Sequence, residues 1–357
     1  MTHRIAIAGI GAVAEMHARS IADLSDAELV AGSCRTESKG REFAAEFDCE
    51  YYADTETMLD ATEPDVLSVC TPSGAHLEPT RLAAERGVDV LCEKPLEITP
   101  ERIDEMVTAC DHGSVRLGGI FPQRYNPVVE TVQEAVAEER FGDLSVVNAY
   151  VPWWRPDEYY RGAWQGTADL DGGGALMNQS IHGVDAVQWL AGTAADLAAD
   201  ENPVEEVFAY TATRAHDGEH IEVEDTAVAV MRFRDGTLGQ LLGATSMYPG
   251  SLKRVQVAGR GGTAEIEEDA LVTWQFQEER AGDEAIREEF TETETGGGAA
   301  DPMDIDYANH RRNIEAFVSS LRTGDPYALD GTEACKAVEI ITSIYESAES
   351  GQPVRVP

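Results

Sequence analysis

Lysine is nearly absent from this 357-residue sequence, and basic residues as a whole are few. Acidic residues number 66 against 27 basic ones, which gives a formal net charge of -39 at pH 7 and a pI near 4.3. Such a field repels a phosphate backbone, so the composition excludes nucleic acid as an expected partner. The lysines stand at four positions, Lys39, Lys94, Lys253 and Lys336.

The same charge imbalance indicates the solvent to which the protein is adapted. A high acid content with almost no lysine indicates adaptation to a cytoplasm rich in salt. At an ionic strength of 1 M the Debye length is only about 3 Å, so the repulsion between the carboxylates is screened. An ordinary acidic protein is the alternative. Hydrophobic residues make up 43% of the chain and keep a regular periodicity, so disorder is not expected. We therefore predict a halophilic globular protein.

Paired cysteines and long apolar runs are also missing. The six cysteines include no C-x-x-C pair and have no nearby histidine partner, so we expect neither a disulfide framework nor a bound metal. The N-terminus runs as a strand into a glycine turn, without the charged head and long apolar stretch of a signal peptide. We expect no membrane span and no membrane partner, hence a cytoplasmic protein.

The chain is long enough for two domains. Strands and helices alternate up to a strand at 115–121, which is typical of a parallel α/β sheet. Beyond that point the sequence shows consecutive segments of alternating hydrophobicity, which indicates a largely antiparallel sheet, and then two helices at roughly 307–322 and 332–350. The predicted strands of this second part are 144–151, 204–214, 225–233, 238–245, 253–258, 262–267 and 271–276.

A glycine-rich turn follows the first predicted strand and reads G-x-G-x-x-A. Its two glycines allow a tight turn and a close approach of a pyrophosphate to the N-terminus of the next helix. A plain strand-helix turn is the alternative, but the position between a first strand and an amphipathic helix favours dinucleotide binding. The residues of this candidate cofactor site are Gly9, Ile10, Gly11, Ala12 and Val13.

The second strand ends at Cys34, Arg35 and Thr36, about 20 residues past the glycines, where NAD enzymes place a ribose-binding carboxylate. No carboxylate stands there, so the main discriminator against NADP is gone. Arg35 can clamp a 2′-phosphate, and Thr36 or Lys39 can add to that contact. The alternative is that Arg35 merely lies on the adenine face. NADP is therefore favoured, with NAD as the second choice.

Lys94 follows a short apolar run, 88–92, that reads as a buried parallel strand and continues into Cys92-Glu93-Lys94-Pro95. Ligands of an open α/β sheet bind outside the carboxyl ends of its strands, so Lys94 is expected to face a cofactor or substrate. A lysine in a cleft can shuttle a proton, whereas an arginine cannot. A solvated loop lysine before a proline is the alternative.

Aromatic residues are concentrated in one segment, where three of the five tryptophans fall within 153–164. Flat aromatic faces beside arginine and hydroxyl donors suit the apolar and polar faces of a sugar ring. The alternative is that these side chains only cover the sheet. The candidate substrate-binding residues here are Trp154, Arg155, Tyr160 and Trp164.

Three glycines at 172–174 precede a predicted helix that starts at about Gly174. On such a helix Asn178, His182 and Asp185 fall at i, i+4 and i+7 and therefore share one face. A single histidine on an amphipathic helix is more often structural. His182, however, has an amide one turn before it and a carboxylate one turn after it.

Together with Thr71, Pro72 and His76, these motifs resemble the glucose-fructose oxidoreductase/inositol dehydrogenase (Gfo/Idh/MocA) family over nearly the full length. The resemblance implies an α/β protein with an NAD(P)-binding Rossmann fold in residues 1–122. It implies a second α/β domain, 123–357, that binds substrate and uses a largely antiparallel open sheet for oligomer contacts. The expected activity is hydride transfer between nicotinamide and a carbon of a sugar, polyol or nucleotide sugar.

The same resemblance assigns roles to residues. Lys94 would be the catalytic lysine and His182 the acid/base histidine, and both would contact substrate together with Asn178. Many members carry aspartate at the position of Asn178, so an aspartate-assisted proton relay is not expected here. The stretch from Trp153 to Gln179 is more similar to nucleotide-sugar and amino-sugar 3-dehydrogenases. The remaining residues implied to line the cofactor or substrate are Thr71, Pro72, His76, Glu93, Gln123 and Arg124.

Two other functions are alternatives on the same fold. An NAD-dependent glycoside hydrolase of this superfamily is expected to carry a Tyr-rich glycine motif beside the histidine, and none is present. A non-catalytic NADP-binding sensor is expected to lack the lysine or the histidine, and both are present. The partner expected from the resemblance is a small-molecule sugar or polyol, bound by a homo-oligomer, a dimer or tetramer formed through the C-terminal sheet.

Overall fold

The computed structural model describes residues 2–195, 197–216, 218, 221–291 and 307–357. Its strands are β1 His3–Ala8, β2 Ala27–Ser33, β3 Glu50–Tyr52, β4 Val66–Val69, β5 Asp89–Cys92, β6 Leu117–Gly119, β7 Leu144–Pro152, β8 Val204–Ala212, β9 Thr226–Phe233, β10 Leu238–Ala244, β11 Arg254–Gly259, β12 Gly262–Glu267, β13 Ala270–Phe276 and β14 Val354–Arg355. Its α-helices are α1 Ala12–Ala22, α2 Glu37–Phe47, α3 Thr55–Thr62, α4 Leu77–Ala84, α5 Pro100–Gly113, α6 Pro127–Ala137, α7 Asp157–Tyr160, α8 Ala168–Asp171, α9 Ile181–Ala194, α10 Asp283–Glu289, α11 Ala308–Thr323 and α12 Gly331–Ser350.

The first of two compact units contains a six-stranded parallel sheet. Its strand order, β3-β2-β1-β4-β5-β6, is that of a dinucleotide-binding Rossmann fold. Every residue of β4 is buried, as expected for a parallel strand that helices cover on both faces. Thr99 caps α5 by accepting a hydrogen bond from the Arg102 backbone N–H.

The first unit consists of two segments of the chain, one that ends at Pro122 and a second, Tyr307–Cys335. The predicted second domain, 123–357, includes this segment, whereas contacts within the fold group it with the first unit. The side chain of Asn313 on α11 accepts a hydrogen bond from the Phe121 backbone N–H, and the Phe317 ring packs against Gly118 of β6. Helix α11 thus buries its apolar face beside β6, which sequence order alone does not reveal.

The second unit, Gln123–Asp306 with Lys336–Pro357, contains an eight-stranded sheet in the order β13-β12-β11-β7-β10-β9-β8-β14. Neighbouring strands are antiparallel except β7 and β10, which are parallel. Helix α9 covers one face, where Gly183 lies against Val151 and Ala149. The predicted fold class, a Rossmann fold followed by an α/β domain with a largely antiparallel sheet, is confirmed.

The opposite face of this sheet carries exposed apolar side chains. Residues of β9 alternate between exposed and buried, as expected for a sheet packed on one side only. Tyr210 is 68% exposed and Val230 is 51% exposed. No helix in the described part of the chain is long and apolar enough to cross a membrane.

Candidate active site

The glycine turn after β1 leaves room for a ligand. Gly9 has a φ of +92°, and a Cβ there would lie 2.7 Å from the backbone of Cys70 and Thr71, so only glycine fits. Gly11 is the N-cap of α1, and a Cβ built on it meets nothing within 4 Å. The first-turn N–H groups of α1, including those of Ala12 and Val13, have no intrahelical partners by geometry. The turn therefore fits the pyrophosphate of a dinucleotide.

The segment after β2 is open to solvent on its basic side. Arg35, Thr36 and Lys39 are exposed, whereas Cys34 is half-buried and its carbonyl accepts a hydrogen bond from the Tyr51 hydroxyl. The nearest carboxylate along the chain, Glu37, is paired with Arg41. The structure thus places an arginine just past the carboxyl end of β2. NAD enzymes carry a ribose-binding carboxylate at this position, and that carboxylate repels a 2′-phosphate.

The predicted cofactor-lining residues after β4 lie in a loop attached to the Lys94 loop. Thr71 and Pro72 are half-buried, and the Thr71 hydroxyl donates to the Ala75 carbonyl. The His76 ring is buried, with Nε2 2.8 Å from the Thr71 carbonyl oxygen and Nδ1 3.0 Å from that of Pro95. His76 therefore joins the loops that follow β4 and β5, and its contact with a cofactor stays a prediction.

Lys94 is half-buried and lies two residues past the end of β5. Its backbone N–H donates to Oε2 of Glu93 at 3.1 Å, and Oε1 of the same carboxylate accepts from Nε2 of His17 at 2.9 Å. Burial acts to raise the pKa of Glu93, but the hydrogen bond from His17 lowers it to about 2. A buried carboxylate thus anchors the backbone of the predicted catalytic lysine. His17 carries no motif that would have identified it.

In the second unit the segment before His182 differs from the predicted helix. Residues Ala175–Ser180 form a π-helix, and the α-helix begins only at Ile181. Because π-helical hydrogen bonds run from i to i+5, α-helical spacing cannot be applied from Asn178 to His182, and the common face of Asn178, His182 and Asp185 stays a prediction. His182 is half-buried in the first turn of α9. A π-helix often marks a functional site.

Asp185 and Arg124 form a buried ion pair. Asp185 is 1% exposed and Arg124 7% exposed, and the guanidinium donates to both carboxylate oxygens, at 2.8 Å from Nε and 2.5 Å from Nη2. The Arg124 guanidinium also lies over the Trp189 ring, 5.0 Å from its centroid. Gln123 lies beside it in a short 3-10 helix, Pro122–Tyr125. These contacts fix Arg124, whose predicted approach to substrate remains untested.

A hydrogen-bonded chain joins two of the predicted substrate residues, Arg155 and Asn178. The Arg155 guanidinium, 1% exposed, donates to the Gln179 amide oxygen at 2.8 Å. Gln179 donates in turn to the Asn178 amide oxygen and to the Tyr159 hydroxyl. Asn178 donates to Asp171 at 2.6 Å. This network holds the second half of the π-helix and shows why an amide serves at position 178, since it both donates and accepts.

The predicted aromatic residues surround a histidine that the sequence did not identify. The Trp154 ring stacks on that of His216 at 5.8 Å between centroids. The Tyr160 side chain is buried, and its hydroxyl donates to the Thr245 hydroxyl at 2.9 Å. His216 Nε2 lies 2.8 Å from the Arg155 carbonyl oxygen. Burial acts to lower the pKa of His216, but the hydrogen bond to the Asp225 carboxylate raises it overall. Trp164 is half-buried in the same part of the chain.

Two glycines before the π-helix, Gly173 and Gly174, make room for Tyr345 and Glu224. The backbone N–H groups of Gly174 and Leu176 donate to the Glu224 carboxylate at 2.9 and 2.8 Å, and the Tyr345 hydroxyl donates to it at 3.0 Å. A Cβ at Gly174 would lie 1.8 Å from the Glu224 carbonyl oxygen, and one at Gly173 would lie 2.1 Å from the Tyr345 hydroxyl. Burial raises the pKa of Glu224. The glycine run is visible in the sequence, but it does not identify Glu224 as the residue that approaches it.

Two matches to family models cover most of the chain. Residues 3–120 match the Gfo/Idh/MocA description "Oxidoreductase family, NAD-binding Rossmann fold", and residues 133–356 match "Oxidoreductase family, C-terminal alpha/beta domain". The chain belongs to the Gfo/Idh/MocA oxidoreductase family. The predicted family is confirmed for both parts of this oxidoreductase.

Similar Gfo/Idh/MocA proteins include dehydrogenases with known names. The chain is 27% identical to D-glucoside 3-dehydrogenase of Escherichia coli strain K12, over 99% of the chain and 97% of the relative. It is 27% identical to D-xylose 1-dehydrogenase (NADP(+)) 2 of Haloferax volcanii, over 93% of each. The WlbA dehydrogenase of Bordetella pertussis, solved with NADH and UDP-GlcNAcA, superposes with a TM-score of 0.88 at 32% identity, over 100% of the chain and 98% of that structure.

Proposed function

We propose that this protein is an NAD(P)-dependent dehydrogenase that moves a hydride between nicotinamide and a hydroxyl-bearing carbon of a sugar, polyol or nucleotide sugar. The observation that carries the proposal is Lys94, anchored by Glu93 just beyond β5 in a Rossmann sheet whose glycine turn is open to a dinucleotide. The named relatives, all dehydrogenases, support this reaction class.

The first unit carries the residues that would hold the cofactor. Gly11, Ala12 and Val13 present the N-terminus of α1 to the pyrophosphate, and Thr71 and Pro72 lie in the neighbouring loop after β4. When bound, the nicotinamide ring supplies the hydride acceptor in oxidation and the donor in reduction. Exposed Arg35 supports a preference for NADP, because its guanidinium can pair with a 2′-phosphate. NAD is the second choice, as NADH accompanies the WlbA dehydrogenase.

We assign the proton chemistry to Lys94 and His182. In oxidation His182 removes the hydroxyl proton, and Lys94 stabilises the negative charge that develops on the same oxygen. In reduction the protonated His182 returns the proton to that oxygen, and Lys94 again stabilises the negative charge that develops there. Asn178, held by Asp171 and Gln179, is fixed as an amide that can orient a sugar hydroxyl without carrying a charge.

Among substrate classes we favour a nucleotide sugar. The supporting observations are the 32% identity to a dehydrogenase solved with UDP-GlcNAcA and the run of aromatic and polar side chains between Trp154 and Trp164. Aromatic rings beside hydrogen-bond donors bind the two kinds of surface that a sugar presents.

The first prediction tests the reaction and its residues. Nucleotide sugars, free sugars and inositols should be screened with NADP and NAD by following the absorbance of the reduced cofactor. On the best substrate, Lys94→Ala and His182→Ala should each lower kcat by roughly 10² to 10⁴ with cofactor affinity little changed, because both act on the transition state. His112→Ala, at an exposed position at the end of α5, is the matched control. Near-normal turnover in either active-site variant would contradict the assignment.

We also propose that the protein is a homo-oligomer, a dimer or tetramer, assembled through the open face of the eight-stranded sheet. That face exposes apolar side chains that a monomer leaves in water, with Tyr210 68% and Val230 51% exposed.

A further inference from the structure

Behind the Lys94 loop lies a buried cluster of titratable side chains that the proposed reaction does not use directly. His17 of α1 and Glu93 are 0% and 5% exposed, and His310 of α11 is 7% exposed. The two imidazole rings lie 6.0 Å apart, and Nε2 of His310 is 3.9 Å from the Glu93 carboxylate. These three groups share an interior where unpaired charge is costly, and the Cys70 thiol lies beside them, 3.6 Å from Nδ1 of His17.

The charges within the cluster can be assigned from its contacts. An ionised carboxylate only accepts hydrogen bonds, so Nε2 of His17 must be the donor to Glu93 at 2.9 Å. Burial acts to lower the pKa of His17, but Cys70 and Glu93 raise it to about 10. Burial lowers the pKa of His310 to about 4. The cluster therefore holds one imidazolium, His17, against one carboxylate, with His310 neutral beside them.

The two oxygens of Glu93 face different partners. Oε1 accepts from His17, and Oε2 accepts from the backbone N–H of Lys94 at 3.1 Å. The other ring nitrogen of His17, Nδ1, lies 2.7 Å from the Ser68 hydroxyl on β4. A rigid strand thus orients the His17 ring, the ring orients the carboxylate, and the carboxylate fixes the peptide from which the Lys94 side chain leaves.

We propose that His17 is a positioning residue for catalysis, which acts through Glu93 to hold the Lys94 backbone in the orientation that places its ammonium group on the substrate oxygen. This inference rests on the catalytic role proposed for Lys94. His17 itself contacts neither substrate nor cofactor in this role. A lysine whose anchor is lost still binds substrate but samples unproductive positions, and a displacement of about 1 Å can cost roughly a hundredfold in rate.

His17→Leu removes the donor and leaves a carboxylate that turns away from Lys94, so kcat should fall about ten- to a hundredfold while the KM for substrate and the Kd for NADP stay within about twofold. His17→Gln, whose amide nitrogen can take the place of Nε2, should restore most of kcat. Ser68→Ala, which releases Nδ1, should lower kcat in the same direction and serves if His17→Leu fails to fold.

The deciding measurement is a double-mutant comparison in the Lys94→Ala background, with thermal unfolding of every variant recorded. With Lys94 already removed, neither His17→Leu nor Ser68→Ala should lower kcat further, because there is no ammonium group left to position. The role proposed for His17 would be overturned if His17→Leu and Ser68→Ala lowered kcat equally with and without Lys94. It would also be overturned if both variants kept full activity with Lys94 present, and in neither case would the proposed function be affected. A Lys94→Ala enzyme as fast as the parent would instead overturn the proposed function.

Discussion

Arg35 shows how one side chain sets a chemical preference without altering the fold. It is exposed in the connection between β2 and α2, next to Thr36, the N-cap of α2, and to Cys34, whose carbonyl accepts a hydrogen bond from the Tyr51 hydroxyl. Its guanidinium can form a charge-assisted pair with a 2′-phosphate, and such contacts contribute about 1.5–3 kcal/mol.

We therefore expect the parent enzyme to prefer NADP over NAD by roughly ten- to a hundredfold in kcat/KM, and Arg35→Ala to lose most of that preference. Steady-state kinetics with both cofactors provide the measurement. Arg41→Ala is the control, because Arg41 is also exposed but is paired with Glu37 on α2. If the parent uses NAD better, or if Arg35→Ala leaves the ratio of the two efficiencies unchanged, Arg35 does not recognise the phosphate.

At the scale of elements, the sequence predicted those parts whose cause is local. The alternation along β9 and β10 comes from neighbouring residues, and the predicted bounds of these two strands agree with the structure within one or two residues. The π-helix was missed because its cause is distant in sequence. Glu224 binds the N–H groups that precede and begin it, 50 and 48 residues away. The same holds for α11, whose partner is β6.

In the candidate site, too, features with a local cause could be predicted from the sequence, and those that depend on long-range contacts could not. Lys94 and the glycine turn could be located because strand ends and glycine spacing are visible in the sequence. The carboxylate partners could not: Asp185 binds Arg124, and Glu93 binds His17, through contacts 61 and 76 residues apart. A sequence shows which side chains can react, but the long-range pairs that hold them appear only in the fold.

Gly174→Ala tests the close approach at the π-helix. Its methyl group would lie 1.8 Å from the Glu224 carbonyl oxygen, so the segment must shift, and we expect a loss of about 1–3 kcal/mol in the free energy of unfolding together with a fall in kcat. Gly282→Ala is the control, since a Cβ there meets nothing within 4 Å, and it should change stability by no more than about 0.5 kcal/mol. Denaturant unfolding compares the two variants, and equal stability would rule out this packing constraint.

The open sheet face carries a prediction about assembly. A carboxylate in the centre of an apolar interface is buried without a partner, so Val230→Glu should dissociate the oligomer that we propose. Thr108→Glu adds the same charge at an exposed position on α5 and should leave the assembly intact. Size-exclusion chromatography with light scattering gives the mass of each. A monomeric parent, or an oligomer that tolerates Val230→Glu, would show that this face is not the interface.

At the scale of the whole molecule, the dominant feature is the net charge of -39. Exposed ion pairs, such as Arg81 with Glu105 and Arg86 with Asp60, neutralise only part of it, because acidic residues exceed basic ones by 66 to 27. The excess carboxylates repel one another, and this repulsion opposes the compact state when the solvent does not screen it. Exposed pairs contribute at most about 1 kcal/mol each, so they cannot offset such a field.

We therefore expect the melting temperature to rise steeply with potassium chloride between low and molar concentration, as the Debye length falls from about 30 Å at 0.01 M to about 3 Å at 1 M. About 2–4 °C corresponds to 1 kcal/mol in domains of this size, so the rise should be several degrees. Salt also strengthens hydrophobic burial to some extent, and a charge variant separates the two effects. Replacing the exposed Glu85, Glu101 and Asp104 with their amides should raise stability at low salt and flatten the salt dependence. If the melting temperature of the parent does not change with salt, or if the variant shows the same dependence of melting temperature on salt as the parent, the protein is ordinarily acidic and not halophilic.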